Sequence, residues 1–509
     1  MSNNSRANKR IAKNTLVIYA NLFLNMLIGV ISSRFVLQAL GVSDFGLYNV
    51  AGGIALFFAF ISNALSSTTT RFVNVEMGKP NGDVNRVFNV CRLLHIAMAV
   101  FVLILIEIGG AWYINHYLNV EFAKTEDAMF VFQTAAVVLC LGVINVPFSS
   151  LFNATEKFFF SSMVSVVGKL IEFGLVIWLL TYSGNRLRMY AIIMTTATVV
   201  PFVVYHVFCY LKWPGYVKWR FVRGWSHYKE VLAYSNFNLL SGAAGMARNQ
   251  GAALLINYFF GTTVNGAYAV AKHMERHLAL FAHRFQDAAA PQITQNYTNG
   301  NHDRVYYLTS RIGKYTMLIT VIAFFPLWSE LGLVLDIWLA KVPEGALTFC
   351  RLILLLVMVG ITDGGIGQVV NASGKVARFR MAYSLLMVSC IPLGFITLKF
   401  GASPYILLIL FIVADVIFRI FQLWMAHRIL HFPVRRYCID AYLPVALVFM
   451  VMALCMFLTS LAPWDSMTWH MCRFGGILLL TVVVVFYVGL RKSEREKIIF
   501  RVRNKLFHV

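Results

Sequence analysis

Lys272, His273, Glu275, Arg276, His277, His283 and Arg284 crowd into about three and a half helical turns of an otherwise apolar stretch. Their i,i+4 and i,i+7 spacings gather them into one polar stripe. An ionisable group at bilayer depth costs about 2.5–3.5 kcal/mol on insertion scales, so such a stripe faces water or a ligand rather than lipid. It either wets a cavity wall or binds an anion. Two further cations stand in apolar runs: Arg34, in the outer part of a first helix, and Arg248, beside Gly242-Ala-Ala-Gly245. Small residues there let helices approach closely or open a cavity. Arginine suits a pyrophosphate, because its planar fork donates two parallel hydrogen bonds. The substrate-binding candidates are therefore Arg34, Arg248, Lys272 and Arg276. Asp363, in ITDGGIGQ, has no cation one turn away along its own segment. It caps a helix break at Gly364-Gly365, or it is a switch coupled to a proton or Na+. Lys169 with Glu172 and Asp415 with Arg419 are spaced to neutralise each other on one helix face. His273 and His277 have HxxxH spacing, but no glutamate directly follows the first histidine and the flanking cations would repel a metal. No metal site, cofactor or catalytic group is expected.

The elements that carry these residues are transmembrane helices. Of 509 residues, 59% are hydrophobic and 13% charged, against about 25% charged in soluble chains. The apolar runs are long enough to cross a hydrocarbon core, which takes about 20 residues. They predict an all-α bundle of about fourteen spans. The net charge of +22 would suggest nucleic acid in a soluble protein. Here Lys and Arg gather in alternate loops, which places both termini in the cytoplasm, and no basic stripe with stacking aromatics lies outside the apolar runs. Arg186 and Arg188 are the main exceptions to that charge pattern. The segment from Trp213 to Lys229 mixes tryptophans with cations and reads as an amphipathic helix on the cytoplasmic surface. The eight cysteines are scattered, with no CxxC pair.

The chain also repeats itself. Gly41, Gly46, Tyr48, Val50 and Ala51 recur at the same spacings as Gly261, Gly266, Tyr268, Val270 and Ala271. Asn153-Ala-Thr-Glu-Lys157 recurs as Asn371-Ala-Ser-Gly-Lys375. The repeat predicts a six-helix lobe over residues 1–212, a connector at 213–230, a second six-helix lobe at 231–430, and two extra helices with a basic tail at 431–509. Each motif falls on the same membrane face in both halves, so the repeat is parallel. Such halves rock about a central site to give alternating access.

The basic start, the sequence LGVSDFGLYNV closing the first helix, a second helix ending in Ser/Thr and Arg71, and the six-six-two layout resemble a known family. It is the polysaccharide-flippase (Wzx-type) branch of the multidrug/oligosaccharidyl-lipid/polysaccharide exporter superfamily. The resemblance covers roughly residues 10–490 and implies a multi-pass protein of the bacterial inner membrane. The implied activity moves undecaprenyl-pyrophosphate-linked oligosaccharide to the outer leaflet, for O-antigen, capsule or exopolysaccharide assembly. Implied partners are that lipid-linked oligosaccharide, membrane lipids and other polysaccharide-assembly membrane proteins. The two extra helices also resemble the peptidoglycan-precursor flippases. The competing readings are that flippase and a cation-coupled multidrug or small-molecule antiporter. A membrane polymerase or glycosyltransferase is disfavoured: outward loops are short, and no DxD or paired-carboxylate motif appears.

Overall fold

The structure is a computed structural model that describes residues 3–155, 157–287, 290–339, 341–460 and 466–507. The described residues form helices and their connections. Ten helices are long and apolar enough to cross a membrane, or eleven if the bent pair Ala346–Ile361 and Ile366–Ser373 is one span. The chain packs as two compact units. One comprises Met1–Ala269 with Trp338–Glu344, the other Val270–Ile337 with Gly345–Val509.

In the first unit, the Asn3–Leu56 helix is interrupted at Gly41 (φ 74°, ψ 172°). The 63-residue helix Trp225–Asp287 is interrupted at Gly261 (φ 77°, ψ −173°). These are the two glycines that the repeat equates, and both use a backbone conformation that favours glycine. The two motif copies also pack against each other. A Cβ on Gly46 would lie 1.9 Å from the Thr262 carbonyl oxygen, and one on Gly266 would lie 2.5 Å from that of Val42. The Ser43 and Thr262 hydroxyls share a hydrogen bond of 3.0 Å beside this crossing. Small residues at the crossing let the backbones meet, the usual device for helix association in lipid. Elsewhere in this unit, Phe88, Phe148 and Phe152 anchor a buried cluster.

The second motif has matching geometry in both units. Thr125–Ala154 ends there, and Lys157 (φ −82°, ψ 45°) opens Phe158–Leu179. Ile366–Ser373 ends at Gly374, and Lys375 (φ −82°, ψ 32°) opens Val376–Lys399. The helices preceding the motif differ. Thr125–Ala154 runs continuously through Pro147. Its counterpart bends by 48° between Ile361 and Ile366, where Gly364 and Gly365 have φ of 56° and 94°.

The expected amphipathic helix at the connector does not form. Pro214–Val217 makes one turn, residues 218–224 have no regular structure and include Gly224 (φ 104°), and the next helix begins only at Trp225. Asn85 donates to the Tyr216 and Lys218 carbonyls, and Asn89 also donates to Lys218. These bonds satisfy the backbone that a helix would otherwise satisfy itself.

Candidate functional site

Asp363 occupies the bend between Ile361 and Ile366. Its Oδ1 accepts from Gln422 Nε2 at 2.5 Å and lies 3.3 Å from Arg419 Nη1. No cation lies one turn away on its own segment, and the structure supplies one from another helix, Ile406–Leu430. Arg419 also lies 3.9 Å from Asp415, its predicted i,i+4 partner, so the intrahelical pair is the longer of the two. Arg419 Nη1 further donates to Gln422 Oε1 at 2.9 Å. Two carboxylates therefore share one guanidinium inside the second unit. Asp363 thus sits at the predicted helix break and belongs to a charged cluster.

The four candidate cations divide between the units. Arg34 is exposed and Arg248 half-buried in the first unit. A Cβ on Gly245, one turn before Arg248, would meet nothing within 4 Å. Of the two readings of that small-residue run, open space fits this position. In the second unit, Lys272 is ion-paired with Glu275, and Arg276 is exposed. His283 and Arg284 have side chains outside the described residues. Lys169 pairs with Glu172 at 2.5 Å, as their spacing predicted.

Arg186 and Arg188, the exceptions to the charge pattern, are both held by first-unit groups. Arg188 pairs with Asp127 at 2.5 Å and Glu126 at 3.4 Å. Arg186 donates to the Tyr182 and Leu180 carbonyls. Also in the first unit, a cavity of about 180 Å³ is lined by Arg71, Glu76, Lys79, Arg86, His227 and Glu230. There the Lys79 hydrogen bond holds the Glu76 carboxyl below the usual glutamate range, against the opposing effect of burial.

Two buried ionic sites have no counterpart in the sequence reading. Glu330 accepts from His470 at 2.7 Å and lies 3.0 Å from Arg473, which ties it to the Met467–Val484 helix. Lys314, 2% exposed, pairs at 2.5 Å with Glu494, 5% exposed, at the start of the C-terminal helix Lys492–Phe507. Tyr315 donates to the other Glu494 oxygen at 2.9 Å. Burial alone would raise the Glu494 carboxyl. Lys314, the Arg491 amide and Tyr315 outweigh it and hold the group below its ordinary range. The available signal was Lys314 itself, a cation in an apolar run that needs a counter-charge.

This fold is shared with known transporters. The chain aligns with the lipid II flippase MurJ in an inward closed conformation at a TM-score of 0.69 and 14% identity, over 93% of this chain and 99% of that one. It aligns with an inward-facing multidrug resistance MATE family transporter of the MOP superfamily at 0.60 and 14% identity, over 81% and 96%. A MOP superfamily transporter from Pyrococcus furiosus, described by the reverse polarity of its binding pocket, gives 0.56 and 15% identity, over 82% and 95%. At these identities the likeness is one of fold. No protein-family model matches the chain. The uncharacterized membrane protein EpsK of Bacillus subtilis (strain 168) is 21% identical over 339 residues, which is 64% of this chain. The match spans 65% of that protein's length.

Proposed function

We propose that this chain is a flippase that carries a pyrophosphate-linked, prenyl-anchored oligosaccharide from the cytoplasmic to the outer leaflet of a bacterial inner membrane. The observation that carries the reading is a set of cations set into apolar helices of a fold shared with a lipid II flippase. Lipid-linked glycans pair a doubly charged headgroup with a hydrocarbon tail. Arg34, Arg248, Lys272 and Arg276 engage that headgroup in the course of transport while the tail stays in lipid. The chemistry is electrostatic and needs no covalent step. The reverse polarity reported for the Pyrococcus furiosus transporter's pocket is a precedent for departing from drug export on this fold.

Fourteen passes follow if the helix interrupted at Gly41 crosses twice, as does the one interrupted at Gly261. Both termini then lie in the cytoplasm. Asp363 is the coupling group, using the Arg419 pair as the contact that a proton or Na+ displaces.

The test is export of lipid-linked glycan in cells lacking their own flippase, with each variant's membrane level measured in parallel. Arg248→Ala and Arg276→Ala are expected to abolish export, and Arg248→Lys to impair it partly, because lysine lacks the bidentate fork. Full export by the Arg248→Ala/Arg276→Ala double variant would withdraw the assignment. A peptidoglycan precursor is the competing substrate, and rescue of a strain lacking its lipid II flippase would favour it.

A further inference from the structure

The bend around Asp363 leaves main-chain carbonyls without helical partners, and such groups are costly to leave unpaired at membrane depth. Two of them are capped by tyrosines from one helix. Tyr437, fully buried, donates to the Gly364 carbonyl at 2.9 Å. Tyr442 donates to the Thr362 carbonyl at 2.6 Å. The two bonds therefore fall on either side of Asp363 in the chain. Residues five apart on an α-helix point about 140° from each other. Here Cys438–Tyr442 is a π-helical turn, and its extra residue brings both phenols round to one target. Single π-turns of this kind occur often at functional sites. The fit is close: a Cβ on Gly364 would lie 2.1 Å from the Tyr437 hydroxyl, and one on Gly313 would lie 2.2 Å from the Gly364 carbonyl oxygen.

We propose that Tyr437 and Tyr442 are positioning residues, which clamp the bend so that Asp363 is presented to Arg419 and Gln422. The inference rests on the reading of Asp363 as the coupling group. It gives the first of the two extra helices a role, that of holding the one interrupted helix whose repeat counterpart, Thr125–Ala154, is continuous. A phenol that only satisfied a carbonyl would affect stability. A phenol that sets the Asp363–Arg419 contact also changes how strongly the driving cation is felt.

The experiment uses full-length protein in proteoliposomes with a fluorescent prenyl-pyrophosphate-linked disaccharide as probe, under imposed H+ or Na+ gradients. Tyr442→Phe and Tyr437→Phe keep the rings and remove the hydroxyls. Each is expected to shift the cation concentration for half-maximal transport by about threefold to tenfold, the scale of one net hydrogen bond. Transport at saturating gradient should persist. Tyr228→Phe is the control, because it removes a buried phenol bond to a main-chain carbonyl, that of Val222 at 2.7 Å, in the first unit and away from both the bend and the π-turn. It should leave the cation dependence as in the wild type. If Tyr437→Phe does not accumulate, the half-buried Tyr442→Phe decides alone. Wild-type dependence in the tyrosine variants, with the gradient response lost in Asp363→Asn, would overturn the clamp and leave the coupling group standing. An equal shift in Tyr228→Phe would reduce the effect to the general loss of a phenol bond and also overturn it. A gradient response retained in Asp363→Asn would remove the coupling reading itself, and the clamp with it.

Discussion

Gly46 and Gly142 show how differently two helical glycines of the first unit are used. A Cβ on Gly46 would collide with backbone at 1.9 Å, whereas one on Gly142 would meet nothing within 4 Å. Backbone cannot swing aside as a side chain can. Gly46→Ala is therefore expected to cost about 1–3 kcal/mol or more, the range for overpacking. Gly142→Ala should be neutral or slightly stabilising, because alanine is the better helix former. Thermal unfolding of the two purified variants in one detergent compares them directly. The motif was legible because identical small residues recur at fixed spacing. That its two copies touch was not, because spacing along the chain carries no information about which faces meet. Asp363 makes the same point. Its glycines announced a break, but Arg419 lies on the Ile406–Leu430 helix, and spacing along one segment cannot name a partner on another.

Among the elements, the C-terminal helix is the one whose attachment the sequence hid. It reads as a basic tail, yet Glu494 anchors it to Lys314. Removing one member of a buried pair leaves the other uncompensated, at about 3–5 kcal/mol. Glu494→Gln is expected to release the helix, seen as faster amide exchange over residues 492–500. Lys314→Met combined with Glu494→Leu should restore much of the protection, since it removes both charges together. The pH dependence follows from the lowered Glu494 carboxyl. A group depressed on folding lends its stability above the ordinary glutamate range and loses it as pH falls through the lowered value. Docking should therefore be constant from pH 6 to 8 and weaken only in acid below the ordinary glutamate range, as exchange at stepped pH would show. The failed connector helix was partly foreseeable. Pro214, Gly215 and Gly224 are ordinary helix breakers, and the periodicity of tryptophans and cations concealed them.

For the whole molecule, the positive-inside pattern predicts one orientation, the one proposed above with both termini in the cytoplasm. Reporter fusions after Lys212 and after Arg436 are expected to read cytoplasmic, and one near Glu121 external. Two of the three reading from the opposite side would rule out the fourteen-pass topology. The division into units carries a consequence for synthesis. The first unit ends its main run at Ala269, but its last piece is Trp338–Glu344, whose Trp338 indole donates to the Val30 carbonyl and the Ser33 hydroxyl. At translation rates of about 5–20 residues per second, that piece follows Ala269 by roughly four to fifteen seconds. The ribosome therefore delivers the first unit with an uncovered stretch on its opening helix. Val30 and Ser33, already bonded to each other, thus gain this third partner only after the main run of the unit has been made.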